Sequence, residues 1–318
     1  MSLPLLDTIQ AAAERIQPYI HRTPILSSAG INMMVGAELF FKCENMQKAG
    51  AFKSRGACNA VFTLDGDQLK NGVGTHSSGN HAQALARAAS LRKTEAYIVM
   101  PETSPKVKVA GVESYGGKIT FCKPTLQARE ETLQKIIEQT GALEVHPYND
   151  YRIIAGQGTC ALEIFDEIGS MDIMMAPVGG GGLLSGTALT TKYLSPQTQV
   201  VAAEPVMADD AYRSFYEGRF IPSENPQTIA DGLLTSLGSL TYPIIREYVD
   251  AIVTVSEEGI VKAMRLIWER MKIIVEPSSA VPLAAILENK LDVKGKKVCI
   301  ILSGGNIDLD TLPWMNME

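Results

Sequence analysis

The sequence predicts an α/β protein of two mutually packed lobes, each a parallel sheet flanked by helices. Short apolar runs alternate with amphipathic stretches almost throughout, the pattern of parallel strands lying under covering helices. The 318 residues, at ~150 per domain, suffice for about two domains or one large α/β unit. No repeat of roughly 20–50 residues, low-complexity linker or long charge run divides the chain, which sets aside solenoids and tethered beads.

The elements follow in order. Apolar runs bounded by polar or glycine-rich turns predict strands at Leu39–Cys43, Val73–His76, Glu95–Met100, Lys118–Cys122, Ile173–Val178, Gln199–Glu204, Ala251–Val255 and Lys297–Leu302. Between them, Asn80–Arg92, Thr125–Thr140 and Glu257–Lys272 carry apolar residues at helical spacing. The first residues, with Asp7 and Glu14, lack the basic and apolar regions of a signal peptide, and no run approaches the ~18 apolar residues of a membrane helix. A cytoplasmic protein without membrane contact is expected.

Composition narrows the function. Lys and Arg total 29 against 35 Asp and Glu, a net charge of −6, with no basic block for nucleic acid. At 46% hydrophobic and 20% charged residues, a substantial core can form. Cys43, Cys58, Cys122, Cys160 and Cys299 are odd in number and contain no CxxC, so they read as reduced, mostly buried thiols.

Sites in open α/β sheets form beyond the carboxyl ends of strands, so the loops there matter most. Val178 leads into Gly179, Gly180, Gly181 and Gly182, then a helical stretch. Four glycines permit close backbone approach, with several N–H groups aimed at one anion at a helix start. The run is neither GxxxxGK[ST] nor GxGxxG, which disfavours a nucleoside triphosphate and suits a single phosphate monoester. After the second strand come His76, Ser77, Ser78, Gly79, Asn80 and His81, more than a helix cap requires and able to grip a carboxylate. Lys53 lies in Gly50-Ala51-Phe52-Lys53-Ser54-Arg55-Gly56 at a strand-to-helix junction; a desolvated lysine there has a lowered pKa and can form a Schiff base. Ser303-Gly304-Gly305-Asn306 ends the last strand, its hydroxyl able to meet a ring nitrogen. His21 and His146 read as structural, while His76 and His81 bracket the serine loop. No G-x-S-x-G is present, which removes a serine-hydrolase reading.

Seven motifs then stand in order: Asn45-Met46-Gln47 leading to GAFKSRGA, then SSGNHAQALA, SPKVKVAGVESYGG, IAGQGT, VGGGGLLSG, EPSSA and LSGGN. Together they resemble the fold-type II pyridoxal-phosphate enzymes of tryptophan synthase β-like architecture, and within them the serine racemase and serine/threonine dehydratase (ammonia-lyase) group. The resemblance implies that Lys53 carries the cofactor and Gly179 to Gly182 bind its phosphate. It has Asn80 donate to the 3′-oxygen, and Ser303 face the ring nitrogen. It places Ser78 opposite Lys53, with Ser77, Gly79 and His81 around the substrate carboxylate and Arg129 nearby; Tyr148 receives no role. It also implies a homodimer acting on a small amino acid, with a large domain from 1–71 and 149–318. Residues 72–148 would form a small mobile substrate domain. The short stretch after LSGGN carries the expectation of no regulatory amino-acid-binding domain.

A neutral serine at the ring nitrogen favours prompt loss of a β-hydroxyl over transamination, with Lys53 as base. The expected reaction is therefore elimination of water and ammonia from L-serine or L-threonine to a 2-oxo acid. Serine racemisation, with Ser78 as the opposite-face acid, and 3-hydroxyaspartate ammonia-lyase, with Arg129 reading the second carboxylate, are the alternatives. Glu204, Ala208 and Asp210 are a last candidate. Spacing alone favours a helix cap for the aspartates and a basic partner for Glu204, whereas the resemblance implies Mg²⁺, Mn²⁺ or Ca²⁺ held by two carboxylates and the Ala208 carbonyl.

Overall fold

The computed structural model describes residues 2–315. Among these residues ten strands form two sheets. The larger runs β1 (Ile25–Ser27), β2 (Glu38–Cys43), β10 (Lys297–Leu302), β7 (Ile173–Pro177), β8 (Gln199–Pro205), β9 (Ala251–Val255). The smaller runs β5 (Lys118–Cys122), β4 (Ala96–Pro101), β3 (Val73–His76), β6 (Leu143–Glu144), all parallel.

β10 shows why these segments become strands. Val298, Ile300 and Leu302 enter one apolar layer, and Cys299 and Ile301 enter the layer on the opposite face. β7 divides in the same way, with Ile173 and Met175 against Met174 and Ala176. A strand covered on both faces must be apolar at successive positions, so it reads as a continuous run. The alternation of strands and helices delivers the expected α/β class.

Two strands escaped the sequence reading. β1 has only three residues, none buried, and pairs antiparallel with β2, the exception to parallel pairing in its sheet. β6 has two exposed residues. Neither is long enough to display a hydrophobic period. Elsewhere the expected bounds hold, as at Val73–His76, Lys118–Cys122, Ala251–Val255 and Lys297–Leu302, or move by one residue. Thr125 proves to be the cap of the Leu126–Thr140 helix, and Lys272, at φ +60°, ends the Glu257–Met271 helix in the left-handed conformation.

The two sheets share a seam. Ala57, Ala60 and Val61 of the Lys53–Phe62 helix lie in one core with Ala82, Leu85, Ala86 and Ala89 of the Asn80–Leu91 helix. Small side chains let these helices approach closely, which sets the loop at the end of β3 beside the loop that carries Lys53. All five cysteines are free and buried. No helix among the described residues is long and apolar enough to cross a membrane.

Candidate active site

β2, β10 and β7 are neighbours, so the loops leaving their carboxyl ends emerge side by side. These loops hold Lys53, Ser303 and the four glycines. Ala51 bridges to Gly304, and the Phe52 N–H donates to the Ser303 carbonyl at 3.0 Å, stitching the first two loops together. Gly50, at φ +69°, faces the Asn306 side chain, whose Oδ1 lies 2.3 Å from where a Cβ would stand. A side chain there would push the two loops apart.

Lys53 opens its helix and donates from Nζ to the Pro147 carbonyl at 2.9 Å. Burial lowers the amine from its usual value to about 8, against a smaller opposing pull from the Glu276 carboxylate. Two residues on, fully buried Arg55 donates from Nε to Glu44 at 2.7 Å and from Nη1 to Glu163 at 2.7 Å, and Lys42 also meets Glu163, at 2.6 Å. That network fastens the first turn, and with it the lysine's backbone.

The glycine loop is built for close approach. Gly181, at φ +85°, precedes the Gly182–Leu194 helix, and the Thr241 hydroxyl donates to the Gly180 carbonyl at 2.8 Å. A Cβ on Gly179 would lie 2.9 Å from the Leu233 Cα, and one on Gly180 only 2.3 Å from the Tyr148 ring. Tyr148 thus closes over the loop that the sequence left it unconnected with. The result is a side-chain-free cradle at a helix start, the arrangement that receives a phosphate.

The β3 loop supplies the facing wall. The Ser77 N–H donates to the Val99 carbonyl at 3.0 Å, and the Gly79 N–H to the Ser77 hydroxyl at 3.3 Å. Ser78 is half-buried. Asn80 donates from Nδ2 to Glu276 Oε1 at 2.7 Å and accepts at Oδ1 from Asn306 Nδ2 at 3.0 Å. His81 Nε2 donates to the Val145 carbonyl at 3.0 Å, which leaves Nδ1 buried without a partner. The Nε of Arg129, on the Leu126–Thr140 helix, is also buried and unpartnered.

Burial, helped by the Arg129 charge, lowers His76 to about 4. Burial and the neighbouring His76 and Lys53 take His146 to about 4, and His81 is pushed well below its ordinary value, chiefly by burial. All three imidazoles are therefore neutral at pH 7. His76 and His146 line a cavity of about 390 Å³ whose other walls include Glu130, Glu131 and Glu144.

Beyond β10, the Ser303 hydroxyl lies 3.2 Å from that of Ser279, which in turn donates to the Gly304 carbonyl at 2.6 Å. The site thus offers a buried amine, a phosphate cradle, a carboxylate-sized loop and a hydroxyl pair. The family model for pyridoxal-phosphate dependent enzymes matches residues 16–304. The chain belongs to that family.

Among relatives of this pyridoxal-phosphate enzyme, a β-hydroxyaspartate dehydratase of Paracoccus denitrificans is 54% identical over 99% of the chain and 100% of its own length. The solved structure of maize serine racemase superposes with a TM-score of 0.96 at 46% identity, covering 99% of this chain and 97% of that one. The solved structure of T.th. threonine deaminase superposes at 0.92 with 44% identity, covering 96% and 99%. The residues present suit the cofactor: only glycine fits the cradle, and the lysine amine is depressed toward neutrality.

The sequence reading brought Lys53, Ser77 to His81, the glycines and Ser303 to this place, but it assigned nothing to Tyr148, Lys108, Asp231, Glu276, Ser279 or Asn306. Lys108, Glu276, Ser279 and Asn306 lie inside the seven motifs. Glu276 left a local signal, a charged residue directly after Ile273, Ile274 and Val275.

The second candidate cluster lies at the end of β8. Glu204 accepts from the Tyr212 N–H, and Asp210 Oδ2 is buried without a partner. Burial pushes Asp210 up to about 7 and Glu204 well above the carboxylate range. Of the plainer alternatives, Glu204 has no basic partner within salt-bridge reach among the described residues, Asp209 pairs with Arg213 at 2.8 Å, and Asp209 makes no side-chain cap. Among the described residues no three His, Cys, Asp or Glu side chains gather as a metal cluster.

Proposed function

We propose that this enzyme removes water and ammonia from a 3-hydroxy amino acid, giving a 2-oxo acid, with L-serine or L-threonine as substrate. The observation that carries the reading is a desolvated Lys53 set beside a neutral Ser279–Ser303 hydroxyl pair. When bound, pyridoxal phosphate supplies the electron sink for bond breaking at Cα. Lys53 would hold it and would serve as the base for the Cα proton on one face. Gly179, Gly180, Gly181 and Gly182 receive the phosphate on their N–H groups. Asn80 would face the cofactor's 3′-oxygen, and the Ser303 hydroxyl would face its ring nitrogen as a neutral partner. Ser77, Ser78, Gly79 and His81 hold the substrate carboxylate, and Ser78 faces the side opposite Lys53, where it can return a proton.

Residues 72–148 form the smaller domain and close on the remainder, 1–71 with 149–318, which excludes water from the reacting centre. Glu204, Asp210 and the Ala208 carbonyl hold a divalent cation, Mg²⁺, Mn²⁺ or Ca²⁺. The orphaned Asp210 oxygen and the two crowded carboxylates suit such an ion, which ties down the turn after β8 and takes no chemical role. The working unit is a cytoplasmic homodimer.

A second reading has its own observation. The buried, unpartnered Arg129 Nε suits a second carboxylate, as in 3-hydroxyaspartate. Pure protein assayed with L- and D-serine, L-threonine and the 3-hydroxyaspartate isomers decides between them, scored for ammonia, oxo acid and opposite enantiomer. Oxo acid and ammonia from serine or threonine are expected. Turnover confined to 3-hydroxyaspartate moves the assignment to the second reading, and enantiomer without oxo acid overturns both.

A further inference from the structure

A charged cluster that plays no part in the steps above crosses the seam between the sheets. Lys108 belongs to the Lys106–Ser114 helix, between β4 and β5, and is 3% exposed. Its Nζ donates to Asp231, in the turn Asp231–Leu233 that packs against Gly179, and lies 3.9 Å from Glu276 Oε2. Its aliphatic stem fills the space beside Gly79, where a Cβ would stand 2.3 Å from the Lys108 Cδ. The backbone of the serine loop therefore rests on Lys108.

Glu276 is 2% exposed. Its Oε1 accepts from Asn80, while its Oε2 has no hydrogen-bond partner. The groups that face it are Lys108, Asp231, Asn80, Lys53 and the backbone at Asn306. Burial drives Glu276 up to about 7, and the Lys108 charge is the main influence holding it down, with Asp231 pushing the other way. A buried carboxylate that loses its counter-charge takes up a proton. As an acid it carries the proton on the unpartnered Oε2, its Oε1 loses its charge, and its grip on the Asn80 N–H weakens.

We propose that Lys108 is a positioning residue: it supplies the counter-charge that keeps Glu276 a carboxylate, and the charge-assisted bond from Asn80 to Glu276 then fixes the Asn80 amide with its second N–H toward the cofactor's 3′-oxygen. The inference rests on the role of Asn80 given above. Asn306, donating to Asn80 Oδ1, holds the same orientation from the other side. Lys108 touches no reacting atom and acts through Glu276 alone.

The test is a double-variant cycle read in two ways: the Kd of dialysed apoprotein for pyridoxal phosphate, and the kcat and KM of the refilled enzyme. Lys108→Met should raise Kd tenfold or more and cut kcat by a similar factor with less effect on KM. Glu276→Gln supplies an acceptor that needs no counter-charge, and its own Kd and kcat are the reference for the double variant. Lys108→Met with Glu276→Gln should match Glu276→Gln alone. A merely structural lysine would leave the double variant as impaired as Lys108→Met, and that result overturns the proposal. If Lys108→Met does not fold, the comparison of the double variant with Glu276→Gln decides, and a double variant that also fails to fold counts against it. Should the enzyme ignore every hydroxy amino acid, the reaction assigned above falls, yet the Kd cycle still decides the role of Lys108.

Discussion

A lysine captures an aldehyde only as the free base, so the depressed amine of Lys53 has a measurable consequence for cofactor loading. At its ordinary value of 10.5, roughly 0.03% of the amine is free base at pH 7. At about 8 the fraction is roughly 10%, an enrichment of about 300-fold. Capture of pyridoxal phosphate by apoprotein should therefore rise about tenfold per pH unit at low pH and level off near pH 8. Stopped-flow absorbance gives the rate, and an N-acetyl-lysine amide run in parallel supplies the cofactor's own pH dependence. The sign of one neighbour is also fixed. Glu276 pulls the amine upward, so Glu276→Gln should move the midpoint to lower pH. A corrected rate that keeps climbing to pH 10 would refute the buried-amine argument.

The remaining predictions test other parts of the site. Ser78→Ala should suppress any racemisation far more than elimination, because elimination uses one face of Cα; equal losses would leave Ser78 a binding residue only. EDTA should lower melting temperature and activity together, with Mg²⁺, Mn²⁺ or Ca²⁺ restoring both and Glu204→Gln imitating chelation; an indifferent melting curve sinks the cation. Gly180→Ala drives a methyl to within 2.3 Å of the Tyr148 ring, an overpacking cost of about 1–3 kcal/mol. It should lower the melting temperature by several degrees and weaken cofactor binding, with Tyr148→Ala recovering part of the loss; an unchanged melting curve in the single variant would show that the ring yields freely.

How much of this was legible in the sequence depended on the range over which each interaction acts. β7 and β10 announced themselves because burial on both faces forces apolar residues at consecutive positions, a purely local record. The glycine loop was equally local, since close approach excludes side chains at the very positions concerned. β1 and β6 left no trace because a three-residue or two-residue strand cannot complete a hydrophobic period. The polar partners were hidden for a different reason. Lys108 and Asp231 stand 123 positions apart, and Asn80 and Glu276 stand 196 apart. Nothing local to Lys108 distinguishes a lysine whose ammonium is buried across a seam from one lying in water. What makes it unusual is its pair of carboxylates, and these arrive only when the Lys53–Phe62 and Asn80–Leu91 helices bring the two sheets together. The groups proposed to touch a ligand were therefore readable as motifs. Those that orient the first set, Glu276 under Asn80 and Tyr148 over Gly180, became visible only with the fold.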